Sequence, residues 1–209
     1  VLQRASQADI LQPGPQYTSD TQNVARIVGT GSIRRKAQWL HRYPQDTIEN
    51  LRGNVNTRLR KVAESNWHGA IFAAAGLERI GLKPVNAITL DWMLPAPAQG
   101  AIVVVCRTDD TFSIEACQHF HDTDTAICVA SERDFLRALM GGCSMPISAW
   151  AQIQEGNIVF KGNVLSVDGG ELLDIELKTI AKEGAEIGRE AAARLLDNGA
   201  KSLLAGKKP

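Results

Sequence analysis

"ARIVGTGSIRRKAQWL" (residues 25–40) changes character twice within a short span. Ile27 and Val28 form a brief β-branched run, Gly29-Thr30-Gly31-Ser32 is a loop, and Ile33, Ala37 and Leu40 recur at helical spacing. The stretch reads as strand, glycine loop, helix. Such a junction points unpaired backbone N–H groups and the positive end of a helix at an anion. Gly29 and Gly31 are read here as letting that anion approach the backbone. Neither GxxxxGK[ST] nor a complete GxGxxG is present, so the loop is not a nucleotide fingerprint.

The next two units repeat the logic. In "TIENLRGNVNTRLRKVAE" (47–64), Val55, Leu59, Val62 and Ala63 share one helical face, and Asn54 or Asn56 supplies the N-cap. Arg52 precedes that helix and Arg58 falls in its first turns. "WHGAIFAAAGLERIGL" (67–82) reads as a buried strand over residues 70–74 that turns at Gly76 into a short helix carrying Arg79. Parallel topology brings successive strand-to-helix junctions to one sheet edge, so the arginines of all three units are expected there together. An arginine fork pairs two-pronged with carboxylate or phosphate and stays charged when partly buried.

Charge supports an anionic partner. The chain of 209 residues has no net charge, with 44% apolar and 22% charged residues, as in ordinary globular proteins. Yet residues 26–61 hold nine Lys or Arg against only Asp46 and Glu49. The positive field is therefore local. Nucleic acid is disfavoured, because the whole chain is not basic and no RNA-binding signature is present. A small polyanion in a cleft fits better. The longest apolar run, "AIVVVC" (101–106), is far too short for a membrane span, which takes roughly 20 residues. The opening residues "VLQRASQADILQPGP" carry no initiator Met and no signal-peptide pattern, and are read as starting within a longer protein.

Four cysteines, Cys106, Cys117, Cys128 and Cys143, match neither a zinc ribbon nor a CxxC pair. A reduced, cytoplasmic protein follows. Cys117, His119 and His121 alternate as strand residues on one face would, but a fourth ligand is lacking and no metal is expected. Cys143 differs from the others. In "MGGCSMPI" (140–147) it follows two glycines that end the helix around Cys128, Phe135, Leu136 and Leu139, so its sulfur sits on bare backbone suited to an attachment.

"GTGSIRRKAQ", "NLRGNVNTRLRK", "HGAIFAAAGLERIGL", "MLPAPAQGAIVVVCR" and "ERDFLRALMGGCSMPI", in this order and spacing, resemble the porphobilinogen deaminase (hydroxymethylbilane synthase) family from about residue 24 onward. The resemblance implies tetrapyrrole biosynthesis: four porphobilinogen molecules are joined head to tail, each losing ammonia, on a dipyrromethane primer held by a thioether that matches Cys143. It implies that Arg34, Arg35, Arg52, Arg58 and Arg79 bind the carboxylates of primer and growing polypyrrole, with Thr30, Ser32, Ala73, Gly76 and Gln99 lining the same cleft. Each pyrrole brings two carboxylates, so a lengthening chain needs many fixed cations. The family's catalytic Asp belongs to an N-terminal domain that these residues do not match; Asp9, Asp20 and Asp46 are out of context, and no catalytic residue is assigned.

The resemblance also implies the architecture: an α/β periplasmic-binding-protein-like domain followed by a small α+β domain, an antiparallel sheet with helices. Residues 1–98 are the arginine-rich α/β domain, 99–120 a return segment belonging to the absent first domain, and 121–209 the domain carrying Cys143. Pro95 and Pro97 mark a hinge. On this reading the chain is the C-terminal two-thirds of the enzyme and inactive alone. The alternative is a binding module for polypyrroles or other polycarboxylates that performs no chemistry.

Overall fold

A computed structural model describes residues 3–18, 24–139 and 145–205. The first body is built on a five-stranded sheet. Its strands are β2 (Asp9–Pro13), β3 (Ile27–Gly29), β4 (Thr47–Glu49), β5 (Gly69–Ala73) and β6 (Ile88–Thr89), in the order β4-β3-β5-β2-β6. β3, β4 and β5 are parallel, and β2 runs against both of its neighbours. Helix α1 (Ile33–Arg42) links β3 to β4, α2 (Val55–Glu64) links β4 to β5, and α3 (Ala74–Glu78) follows β5.

Period-two alternation sends neighbouring strand residues to opposite faces. Leu11, Val28 and Ile71 meet Trp39 of α1 on one face, whereas Ile10, Ala70 and Phe72 meet Val62 of α2 and Leu77 of α3 on the other. Helices thus cover both faces. The chain leaves β3 towards one face and β5 towards the other, so the ends of these adjacent strands diverge and open a crevice. In sheets of this kind ligands bind there.

The second body is a three-stranded antiparallel meander, β8 (Ile147–Gln154), β9 (Asn157–Leu165) and β10 (Leu172–Ile180). Helices α5 (Thr123–Ala138) and α6 (Ile187–Asp197) pack on one of its faces, with a short 3-10 helix (Ala181–Glu186) before α6 and α7 (Ala200–Ala205) after it. Phe135, Ile158, Phe160, Val164, Ala191 and Leu195 form this core. The two helices cross closely at Gly188, where an added Cβ would lie 1.9 Å from the Ser131 carbonyl oxygen.

Between the bodies, β1 (Gln3–Arg4) pairs with β7 (Ala101–Ile102), and α4 (Thr111–Gln118) buries no residue. "AIVVVC" forms a strand only over Ala101–Ile102, while Val103, Val104 and Val105 are exposed. Two expectations change here. Cys117 and His119 lie at the end of α4 rather than alternating along a strand, and the described residues contain no metal-ligating cluster. Gly76 lies inside α3, with Arg79 as its C-cap. Residues 140–144, with Gly141, Gly142 and Cys143, lie outside the described residues.

Gly188→Ala should lower stability by at least about 2 kcal/mol, because backbone rather than a flexible side chain blocks the new methyl. The urea midpoint measures this, with the neighbouring Ala192→Gly as a comparison that adds no atoms.

Candidate functional site

The carboxyl ends of β3, β4 and β5 lie on one edge, and β2 begins there, with Asp9 opposite Ala73 across the β2–β5 ladder. The Ser32 side chain caps α1 by accepting from the Arg35 amide, and Asn54 caps α2 by accepting from the Thr57 amide. Helix starts are thereby fixed on the edge.

Asp9 is the centre of this edge and is fully buried. Its Oδ2 accepts from Arg34 Nη2 at 2.7 Å, and its Oδ1 accepts from Arg35 Nε and Nη2 at 3.0 and 2.8 Å. Gln99 Nε2 donates to the same Oδ1 and to the Gln7 carbonyl, while Gln99 Oε1 accepts from Arg34 Nη2. Arg34 Nη1 is spent on the Leu94 carbonyl. Burial pushes the Arg34 pKa below its ordinary value; Asp9 opposes that shift and Arg35 adds to it.

The expected arginines therefore divide into two groups. Arg34 is 4% exposed and both its Nη atoms are bonded within the protein. Arg35 retains Nη1, whose protein contact is a long 3.5 Å bond to the Ile71 carbonyl. Arg52 and Arg79 are exposed, and Arg58 is half-buried with its Nε on the Gly53 carbonyl. These cations stand at the junctions after β4 and β5.

The glycine loop differs from its expected role. A Cβ on Gly29 would lie 2.4 Å from the Trp67 ring, and one on Gly31 would lie 2.6 Å from the Leu51 carbonyl oxygen. Both glycines are required by packing within the protein. Two loop amides are also taken, Thr30 N–H by the Glu49 carbonyl and Ser32 N–H by Thr30 Oγ1. The anion-binding capacity of the edge rests on side chains more than on this backbone. At Gly76, by contrast, an added Cβ would meet nothing within 4 Å, so the surface beside Ala73 and Arg79 is open.

The sequence reading gave no role to Asp9 or to a second buried acid, Glu132. Glu132 accepts from both Nη atoms of Arg4 and from the amides of Ala98 and Ala151, joining β1, the 95–99 crossover and β8 to α5. Its position had a signal: it falls between Cys128 and Phe135 on the apolar stripe of α5, where a carboxylate requires a buried partner. The thiol of Cys128, behind it, is pushed up to about 11, mainly by burial. Cys106 is exposed.

Comparison with known proteins finds two matching domain models of one family. "Porphobilinogen deaminase, dipyromethane cofactor binding domain" covers residues 1–115, and "Porphobilinogen deaminase, C-terminal domain" covers residues 126–197. A porphobilinogen deaminase of Syntrophotalea carbinolica is 42% identical over 85% of this chain and 57% of its own length. One of Pelobacter propionicus is 36% identical over 98% and 63%, and one of Brevibacillus brevis is 37% identical over 98% and 67%. The chain thus spans about three-fifths to two-thirds of the length of these relatives.

Asp9→Asn should cost about 3–5 kcal/mol, because it leaves two buried guanidinium groups without their carboxylate. Arg52→Gln, at an exposed position, should stay within about 0.5 kcal/mol of the parent. Chemical denaturation of both variants checks the contrast. Cys106 should be alkylated well before Cys128 at pH 8, read by peptide mass. Because burial holds the folded Cys128 thiol above its ordinary value of 9.0, its contribution to stability is complete below that pH and is lost as pH rises towards 11.

Proposed function

The chain belongs to the porphobilinogen deaminase family, and on that premise we propose that it serves tetrapyrrole biosynthesis in the cytoplasm, assembling hydroxymethylbilane from porphobilinogen. The observation that carries this reading is the convergence on one sheet edge of the strand-to-helix junctions that bear Arg35, Arg52, Arg58 and Arg79. The doubly covered sheet supports a periplasmic-binding-protein-like description of residues 1–98. The exposed Val103, Val105, Phe112 and Phe120 support assigning 99–120 to contact with a further domain, which would bring the catalytic carboxylate.

When bound through Cys143, dipyrromethane supplies the primer on which pyrrole units are joined. The protein's own residues bind and orient. Arg52, Arg58, Arg79 and the unspent Nη1 of Arg35 pair with ligand carboxylates, which are otherwise mutually repelling. Arg34, Asp9 and Gln99 form the fixed wall behind them. Thr30 and Ser32 hold the start of α1, so that Arg35 projects from a rigid element, and Ala73 and Gly76 leave room for the ring edges. This division differs from an even sharing of ligand contacts among the five arginines. Arg34 orients its neighbours and Arg58 meets the ligand.

The test is a chimera in which the N-terminal third of the Syntrophotalea carbinolica relative precedes residues 1–209. Porphobilinogen consumption is expected, and Cys143→Ser should abolish it together with the thioether adduct seen by intact mass. Arg58→Lys should lower turnover about tenfold or more with unchanged stability, the scale of one lost charge-assisted hydrogen bond. An active Cys143→Ser protein, or an adduct mapped to Cys106, Cys117 or Cys128, would overturn the assignment.

A further inference from the structure

Two crossovers, residues 4–8 and 94–100, run between the bodies, and the second holds a backbone conformation that its residues do not adopt by preference. Among the described residues, two that are not glycine have positive φ, Glu155 at 49° and Ala98 at 64°. Glu155 sits with Gly156 in the two-residue turn joining β8 to β9, where hairpin geometry requires that sign. Ala98 lies in a turn of another kind. The Gln99 amide donates to the Ala96 carbonyl at 2.9 Å, with Pro97 in second place and Ala98 in third, an arrangement that favours glycine third. An alanine there brings its Cβ against a carbonyl oxygen of its own backbone. Such strain persists only where the surroundings over-determine it.

One side of that hold is Glu132. The Ala98 N–H donates to Glu132 Oε2 at 2.6 Å, the oxygen that also accepts from Arg4 Nη2. Glu132 is buried, and its other oxygen is taken by Arg4 Nη1 and the Ala151 amide. The other side is Gln99. Its Nε2 donates to the Gln7 carbonyl at 2.6 Å and to Asp9 Oδ1 at 3.1 Å, while its Oε1 accepts from Arg34 Nη2 at 3.2 Å. Arg35 Nε and Nη2 donate to that same Oδ1.

Residues 98 and 99 are thus adjacent in the chain but bonded to opposite bodies, one to α5 and the other to the arginine lock. Once Glu132 lets go of Ala98, its backbone is free to return to negative φ, and the peptide that turns with it carries Gln99 away from Asp9. Arg34 then loses an acceptor, and Oδ1 loses a donor that sets its direction. Arg35 follows the oxygen.

We propose that Glu132 is a positioning residue for Arg35, acting through the left-handed backbone of Ala98 and the side chain of Gln99. The strained turn has two arrangements, and contact with Glu132 selects the one that presents Arg35; the seat of α5 and the arginine edge are thereby coupled. The relay is made of this chain's own bonds. That Arg35 meets a carboxylate ligand rests on the reading of the edge given above.

A double-mutant cycle on the 209-residue chain tests this, reading Arg35 Nε–H exchange by NMR and the affinity for citrate, a small polycarboxylate. Glu132→Gln should speed the exchange and weaken citrate about tenfold, the scale of one charge-assisted hydrogen bond. Removing a negative charge would by itself favour an anion, so weaker binding marks the relay. Glycine adopts positive φ freely, so adding Ala98→Gly to Glu132→Gln should return both readings towards the parent. A merely structural loss at residue 132 would not be repaired by deleting one methyl group at residue 98. Ala98→Gly alone should raise the urea midpoint and leave citrate affinity unchanged. Where Glu132→Gln does not fold, the cycle is run on Arg4→Gln with Glu132→Gln, which leaves no buried charge alone. Unchanged Arg35 exchange in the residue-132 variant, no restoration by Ala98→Gly, or a lower midpoint for Ala98→Gly alone overturns the proposal. Absence of citrate binding to the parent counts against the polycarboxylate reading of the edge, whereas the relay is decided by Arg35 Nε–H exchange.

Discussion

One carboxylate, Asp9, holds two adjacent guanidinium groups, with itself and Arg34 shut away from water and Arg35 reaching the surface by its outer edge. A buried charge is tolerated only when its partners are fixed, and here the fixing runs both ways. Arg34 and Arg35 come from the first turn of α1, Asp9 from the start of β2, and Gln99 and Leu94 from the second crossover. Losing the carboxylate would loosen the helix start, the strand and the crossover together. Of the accessible arginines, Arg35 takes its position directly from this internal lock.

Helix α1 extends the same constraint to the second body. Gln38 accepts from the Leu94 amide and donates to Ser148 at the start of β8, and His41 Nδ1 lies 2.9 Å from the Gly169 carbonyl in the β9–β10 turn. Ala149 donates to the Pro95 carbonyl. With the Arg4–Glu132 fork, these polar contacts join the body bearing α5 to the body bearing the arginines. The residues just after α5, where Cys143 stands, are thus tied in sequence to a domain whose seat is set by α1. Polar contacts of this kind fix orientation more sharply than apolar ones, since a buried amide that slips loses its partner.

Local order was legible in the sequence because it depends on near neighbours. The strand-loop-helix at residues 27–40, the Asn54 cap and the convergence of three junctions on one edge all follow from periodicity and parallel topology. The antiparallel sheet with helices came instead from the resemblance, and the structure builds it on Ile158, Phe160 and Val164 of the sheet and Ile187, Ala191 and Leu195 of α6. What periodicity could not convey was the partner of a charge. Arg34 looked like a ligand-binding arginine, and only the fold reveals that Asp9, 25 residues earlier, already occupies it. The two loop glycines failed as a signal for a similar reason: a missing side chain marks a close approach without saying whether ligand or protein approaches.

The Arg4–Glu132 pair also dictates an order of assembly. Its members are 128 residues apart, and at usual ribosomal speeds of about 5–20 residues per second Arg4 emerges roughly 6 to 25 s before Glu132. Strand β1 can pair with β7 once residue 102 is made, but the Arg4 guanidinium must wait for α5 to bring its carboxylate. Nascent chains stalled before residue 132 would therefore hold β1 against β7 with Arg4 still in water, beside an otherwise complete five-stranded sheet.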